Sequence, residues 1–486
     1  MKFKNQFFDI VKNRLVGTAA CIVNKGKIIE EVHFGKMSLE ANQDVHEKTI
    51  FRIASISKII VAMAALKLIE DGKANLDDDI GDIIGFKIRN PYYPDDKITI
   101  RMLMTQTSSI TDGYDDENPL YDNEISGYNG VNGTNWEVSL KDLLVPSNNK
   151  YYTPLTYDQN RPGSKFIYSN FGCGILACIV EALSGELFTT YVEKEFFEHL
   201  GIDASFRACN IKHQENIASL YYPTNDVNQP YRLSRSAKSF IDSCYPIFPL
   251  KENFRGPAGG LFISMSDLSK IMILLMNDGI DANQQILSKE TVDLMLQMHY
   301  LGPNLNYSAK GLQLRILDFD GEIFKGHTGS AYGVISYLFF NKEEDIGICF
   351  ITNGGYFNKR PFGLNDIQEE VLACFTQNYF PQKLKKHQFK FRLTDDYGYY
   401  DGRKVIFPIK PIVDGNEIYL PLISLASALN IVPKIVDKYI YLNYSNNNYR
   451  MDQIFNNQHQ LIPLKKTLRM LKVDYQISDY IIINLS

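Results

Sequence analysis

Ser55-Ile56-Ser57-Lys58 places a hydroxyl and an amine three residues apart. On a helix that spacing sets both side chains on one face, within reach of each other. A neutral amine beside a hydroxyl can take its proton, an apolar surround favours the neutral form, and a helix N-terminus stabilises negative charge developing on the oxygen. Taken alone, the tetrapeptide fits an N-cap serine and a surface lysine better. Two further groups carry chemistry: Tyr168-Ser169-Asn170, and His327-Thr328-Gly329-Ser330. A lone tyrosine reads first as a core residue with a satisfied hydroxyl.

The elements around these residues change that balance. Lys58 is followed by Ile-Ile-Val-Ala-Met-Ala-Ala-Leu, so the stretch from Ser55 to Gly72 reads as a helix apolar nearly all round and capped by Gly72. Such a helix belongs in the middle of a large domain and takes Lys58 off the surface. Residues 2–14 read as a short amphipathic helix, and Gly17–Gly35 as two strands turning at Asn24-Lys25-Gly26. Helices are expected over Gly172–Leu183, over Ser266–Asn277 with Ser264 or Ser266 as N-cap, and over Asp366–Asn378. Val334–Asn341 and Gly347–Gly355 read as strands. Residues 112–165 are rich in Asp, Asn, Gly and Tyr and hold the one tryptophan, Trp136; so long a patternless stretch reads as a lid over a site or a disordered insertion.

SxxK, then Tyr-Ser-Asn, then His-Thr-Gly, in this order, resemble the serine β-lactamase-like family of penicillin-binding proteins, class C β-lactamases, D-stereospecific aminopeptidases and related esterases. Phe51-Arg52-Ile53 before the serine, Leu68–Ile80 after the helix, Ile98–Ser109 and Gly256–Leu268 are similar to that family too. The resemblance covers roughly residues 15–375. It implies an α/β (α+β) β-lactamase/transpeptidase-like fold, an antiparallel sheet flanked by helices with a helical subdomain. It also implies that Ser55 attacks a carbonyl to form an acyl-enzyme, that Lys58 and Tyr168 carry the proton to the leaving group, and that Asn170 positions the substrate amide and Lys58. The backbone N–H groups of Ser55 and Ser330 would form the oxyanion hole, and Thr328 and Gly329 would line the far wall with His327. Which of Lys58 and Tyr168 is the base stays open.

Two departures stand out. Where many relatives have lysine to hold a substrate carboxylate, this chain has His327, at best about half-charged near neutrality. That favours peptidase and esterase chemistry over a dedicated β-lactamase. Where relatives commonly read His-Thr-Ser-Gly, this chain has Gln106-Thr107-Ser108-Ser109, and the lost glycine is expected to alter a turn near the site.

The substrate implied is a small D-amino-acid peptide, peptidoglycan fragment or ester, with no cofactor and no metal. The second reading is a catalytically silent relative that binds cell-wall polymer.

At 486 residues the chain is long for one core, and its texture changes after Phe380-Pro381. Domains are therefore expected at 1–384 and 385–486. In the second, Pro421-Leu422, Leu429, Ile431 and Tyr439-Ile440 recur 42 residues on as Pro463-Leu464, Leu471, Val473 and Ile481-Ile482. Each unit reads as strand end, short helix, strand, with turns at Asp401-Gly402 and Asp414-Gly415. Residues 396–431 resemble the copper amine oxidase N-terminal-like domain, an accessory module of Gram-positive surface enzymes; with only His387 and His459 here, no copper is expected. From Pro381 to Ser486 there are 15 Lys/Arg against 9 Asp/Glu, a net of +6, which leaves −11 on Met1–Phe380 out of the total of −5. The total gives no reason to expect nucleic-acid binding, and the basic tail suits an anionic cell-wall polymer.

The seven cysteines show no metal spacing and sit mostly in apolar segments, which suggests reduced thiols. Asp9, Lys12 and Arg14 interrupt any leader-like apolar run, and no run of about 18 apolar residues occurs, so no membrane span is expected. These features point to the cytoplasm, the accessory module to the cell surface.

Overall fold

A computed structural model of the chain describes residues 2–113, 138–147, 152–244, 246–281, 284–302, 309–319, 322–358, 364–380, 387–400, 403–429, 432–436, 439–444, 447–452, 454–456, 459–478 and 480–485. The expected lid lies outside the described residues at 114–137 and 148–151, as does the expected turn at Asp401-Gly402. The described part divides into two units: Met1–Ser288 with Gly326–Asn378, and Lys289–Lys325 with Tyr379–Ser486. Residues 289–325 thus group with the tail segment that the sequence sets apart near residue 385.

The first unit is built on an antiparallel sheet. After helix α1 (Lys2–Val11) come β1 (Leu15–Asn24) and β2 (Lys27–Ser38), joined through Lys25 and Gly26 at φ 50° and 69°. Both turn residues are left-handed, the geometry that matches strand twist in a two-residue hairpin. Later strands are β3 (Ile50–Arg52), β4 (Phe262–Ser264), β5 (Glu322–Ala331), β6 (Val334–Asn341) and β7 (Ile346–Gly355). Within a longer sheet, five of these strands lie side by side in the order β5-β6-β7-β1-β2. Cys21 of β1 lies opposite Cys349 of β7, and Cys349 opposite Leu338 of β6.

Successive residues point to opposite faces of a strand, and here both faces are covered. Cys21 and Cys349 reach Ser269 of helix α4 (Met265–Met276), whose N-cap is Ser264. The adjacent Phe350 packs on Phe7 of α1, ring centroids 6.2 Å apart. Helix α5 (Asp366–Tyr379) joins that side, with Asn378 donating to Gln6 Oε1 at 2.7 Å. Double cover explains why β6 and β7 are buried along their whole length and read as continuous apolar runs.

Helix α2 (Ser57–Glu70) is buried from Ser57 through Leu66 and packs against helix α3 (Asn170–Ser184). The separate short pair β3/β4 sets Phe51 opposite Ile263.

Five of the seven cysteines are buried thiols, but Cys209 and Cys244 form a disulfide, Cα–Cα 6.0 Å. This corrects the expectation of reduced thiols throughout. The pair is the one flanked by polar residues, Arg-Ala-Cys-Asn and Asp-Ser-Cys-Tyr, whereas the five thiols lie in core strands and helices.

In the second unit, strand β8 (His387–Phe391) pairs with β12 (Ile481–Leu485). Strand β9 (Glu417–Pro421) leads into helix α6 (Leu422–Leu429), and β11 (His459–Pro463) into helix α7 (Leu464–Leu471); β10 (Tyr439–Tyr444) lies between them. The two repeat units pair with each other, Leu420 opposite Ile462, and the Glu417 carboxylate accepts from the Lys465 and Lys466 amides at the start of α7. Leu420, Leu425, Ile462, Leu468, Phe389 and Phe391 share one core with Met298, Ala309, Ile316 and Ile323. Among the described residues no single helix is long and apolar enough to cross a membrane.

Candidate active site

Strand β3 delivers the chain to a tight turn. Ala54 is held at φ 52°, a left-handed conformation that costs a non-glycine residue roughly 1–2 kcal/mol. Ser57 Oγ locks the turn by donating to Ala54 O at 2.6 Å and accepting from Leu261 N at 3.1 Å. Ser57 is thereby buried and spoken for, while Ser55, two residues before the α2 helix, stays half-buried and open to a partner. The Arg52 Nε–H donates to Gly259 O at 3.0 Å and ties the start of the turn to the segment before β4.

Lys58 is wholly buried, 0% exposed. Its Nζ lies 2.8 Å from Asn170 Oδ1, 2.8 Å from Ala258 O and 3.2 Å from Ser55 Oγ. A buried amine needs such partners, because desolvation without them is costly. Tyr168 donates its hydroxyl to Ser55 Oγ at 2.8 Å, and its ring centroid lies 4.9 Å from Lys58 Nζ. Tyr168 is 39% exposed, so the Ser55 oxygen sits between a buried amine and a phenol that reaches solvent.

His327, Thr328, Gly329 and Ser330 lie on β5. His327 is 7% exposed, its ring centroid 6.4 Å from that of Tyr168, and its Nδ1 donates to Thr328 O at 2.5 Å. At Gly329 the strand meets the turn that carries Ser55: a Cβ there would run into Ser336 Oγ and come within 2.5 Å of Ile53 O. Ser336 Oγ donates to Ile53 O at 2.9 Å, so β6 holds the turn as well. Thr328 is half-buried and Ser330 exposed. All eight residues singled out from the sequence fall in the first unit. Ser55, Lys58, Tyr168 and Asn170 form one hydrogen-bonded cluster, with His327 beside Tyr168 and Gly329 against Ile53.

At the Gln106–Ser109 departure the backbone is left-handed at both ends of the segment. Ser109 itself takes φ 64°, the conformation a glycine would adopt freely, and Asn90 Nδ2 donates to its Oγ at 2.9 Å. Gln106, also left-handed at φ 62°, clamps the residues beside Tyr168. Its carbonyl accepts from Ile167 N at 2.7 Å, and its Oε1 accepts from Ser169 N at 2.7 Å.

Sequence reasoning passed over Asp112 and Ala258. Asp112, 8% exposed, accepts from Phe171 N at 2.8 Å, Asn170 Nδ2 at 2.8 Å and Ser169 Oγ at 3.2 Å. Burial pushes its carboxyl up from the usual range, against those hydrogen bonds and the nearby Lys58 charge. Nothing in the local sequence marks it, since it begins a stretch dense in Asp and Asn. Ala258 contributes only a backbone carbonyl, which no side-chain motif reveals. Cys173, one turn into α3, is not a rival nucleophile: burial pushes its thiol up to about 12.

The arrangement suits acyl transfer. One hydroxyl has two proton-transfer partners within reach, and the positive end of a helix lies beneath it.

The family model described as Beta-lactamase matches residues 3–373. Among curated proteins, Protein flp of Staphylococcus aureus (strain N315) is 24% identical over 346 residues, which cover 71% of this chain and 61% of that protein. The chain thus spans less than two thirds of the length of that relative. Among solved structures, the octameric penicillin-binding protein homologue from Pyrococcus abyssi matches with a TM-score of 0.57 at 20% identity, over 99% of both chains. The D-amino acid amidase from Ochrobactrum anthropi SV3 matches with a TM-score of 0.55 at 18% identity, over 77% of this chain and 98% of its own. At such identities the two structures bear on fold alone.

Proposed function

The chain belongs to the Beta-lactamase family, and from that premise we propose that it is a serine hydrolase working through an acyl-enzyme on Ser55, with a D-amino-acid peptide, peptidoglycan-type fragment or related ester as substrate. One observation carries the reading: Ser55 Oγ is hydrogen-bonded by both Lys58 Nζ and Tyr168 OH. In the acylation step Ser55 Oγ bonds to the substrate carbonyl carbon and its proton passes to the Lys58–Tyr168 pair. The carbon–nitrogen or carbon–oxygen bond to the leaving group then breaks, and the same pair returns the proton to that group. Water attacks the ester on Ser55 by the reverse route. Backbone N–H groups of Ser55 and Ser330 serve as oxyanion donors, and Asn170 orients the substrate amide. Thr328 and Gly329 complete the wall opposite α2.

His327 supports a neutral or weakly anionic substrate terminus, because an imidazole holds a carboxylate less firmly than a lysine would.

The tail, proposed as a copper amine oxidase N-terminal-like module without copper, supplies attachment to anionic cell-wall polymer through its net charge of +6. The Cys209–Cys244 disulfide supports a working place outside the reducing cytosol, in keeping with the cell surface.

Reaction with a fluorophosphonate probe tests the reading. Wild-type protein is expected to label on the peptide containing Ser55, and Ser55→Ala to stay folded and unlabelled. Label that persists in Ser55→Ala overturns Ser55 as nucleophile. A wild-type protein that neither labels nor turns over a simple ester, yet pellets with cell-wall preparations, is a silent binding protein instead.

A further inference from the structure

Behind the four-residue cluster stands a carboxylate that no motif announces. Asp112 touches none of the reacting atoms, yet its Oδ2 accepts from Asn170 Nδ2 at 2.8 Å while Asn170 Oδ1 accepts from Lys58 Nζ at 2.8 Å. We propose that Asp112 is a positioning residue that fixes which end of the Asn170 amide faces Lys58, and through it the direction in which the lysine amine addresses Ser55. The inference rests on the hydrolase reading above.

The two ends of an asparagine amide are nearly the same size and differ in being donor or acceptor. An ionised carboxylate only accepts. With Asp112 against one end, the NH₂ of Asn170 must turn toward it and the oxygen must turn toward Lys58. The rest of the Asp112 carboxylate is anchored independently, by Phe171 N at 2.8 Å and Ser169 Oγ at 3.2 Å, at the N-terminus of α3. That end of a 15-residue helix favours a negative charge. The groups that face Asp112 are Lys58, Cys173, Ser169 and Asn170 with the Phe171 amide, and Lys58 is the cation among them.

The consequence falls on Lys58. Asn170 Oδ1 and Ala258 O, both pure acceptors at 2.8 Å, take two of the amine's hydrogens. The remaining tetrahedral position, a hydrogen or a lone pair according to protonation, is then directed at Ser55 Oγ, 3.2 Å away. A flipped Asn170 amide would present N–H groups to the amine, compete for its lone pair and leave Ser55 without its partner. Asp112 therefore sets proton-transfer geometry from two hydrogen bonds away.

A double-mutant cycle between positions 112 and 170 tests this, with acylation read as fluorophosphonate labelling rate and as kcat and KM on a small ester. Asp112→Asn keeps the shape and removes the acceptor-only character. It is expected to lower kcat by roughly tenfold to a hundredfold, as misplaced catalytic groups do, with KM within about threefold of wild type. In an Asn170→Ala background the same change is expected to cost nothing further, because the amide through which it acts is gone. A role confined to capping α3 would give Asp112→Asn the same loss in both backgrounds and overturn the inference. Should Asp112→Asn not fold, Asp112→Ser takes its place in the same cycle. A wild-type chain that fails to label at Ser55 sinks the hydrolase reading and this inference together. Labelling of wild type with multiplicative losses in the cycle sinks the inference alone.

Discussion

At Ser55 two donors converge on one oxygen, from Lys58 at 3.2 Å and Tyr168 at 2.8 Å. Lys58 is spent on Asn170 and Ala258 for the rest, and Tyr168 reaches solvent. The two therefore act as a unit. Lys58→Ala and Tyr168→Phe are each expected to slow acylation by about 10²–10⁴, the usual worth of a positioned acid or base. The double variant should be little slower than the worse single one; additive losses in the labelling rate would show two independent contributions. The motif residues were legible because their chemistry lies in their side chains at fixed local spacing. Asp112 and Gln106 were not, since their effect depends on a carboxylate and an amide meeting residues 58 and 63 positions away in sequence. The backbone at Ser109 was hidden for a related reason. Sequence shows the residue type but not that Asn90 and the surrounding turn hold a serine at φ 64°.

The elements that carry the site were read more fully than the contacts between them. The hairpin at Lys25-Gly26, the all-apolar α2 and the cap at Ser264 follow from turn chemistry, periodicity and capping, which act locally. Helix α1 ends at Val11, earlier than the expected residue 14, because Asn13 turns left-handed at φ 62° and starts the approach to β1. What sequence could not show is that β5 presses on the turn that carries Ser55. Gly329 is the point of contact, where an added Cβ would meet Ser336 Oγ, Ile53 O and, at 3.2 Å, the Ala54 side chain. Gly329→Ala must push β5 away from a turn already strained at Ala54. The expected result is a drop in melting temperature equivalent to roughly 1–3 kcal/mol, as overpacking generally costs, together with slower labelling of Ser55. An unchanged melting temperature would mean that the strand and the turn are not in the close contact described.

At the scale of the whole chain, one stretch connects what the sequence separates. Residues 289–325 contribute Met298, Ala309, Ile316 and Ile323 to a core otherwise made by the tail. Burying Met298, Ile316 and Ile323 is worth about 1.5–3 kcal/mol each, so a chain ending at residue 385 leaves that stretch without most of its packing. Limited proteolysis is expected to cut within 289–325 in the truncated protein at protease levels that spare the full chain. Equal resistance would show that the stretch holds its structure without the tail. The accessory module reads in sequence as a separate attachment because its repeat is self-contained; its debt to residues 289–325 is a matter of tertiary contact, which no local pattern encodes. The Cys209–Cys244 link bears on the same scale. It closes a loop across a sequence separation of 35 residues, and by chain-entropy reasoning such a ring narrows the unfolded ensemble by about 4 kcal/mol at 25 °C. Opening that ring with dithiothreitol is therefore expected to lower the melting temperature, and an unchanged melt would show that the link adds no constraint the fold does not already impose.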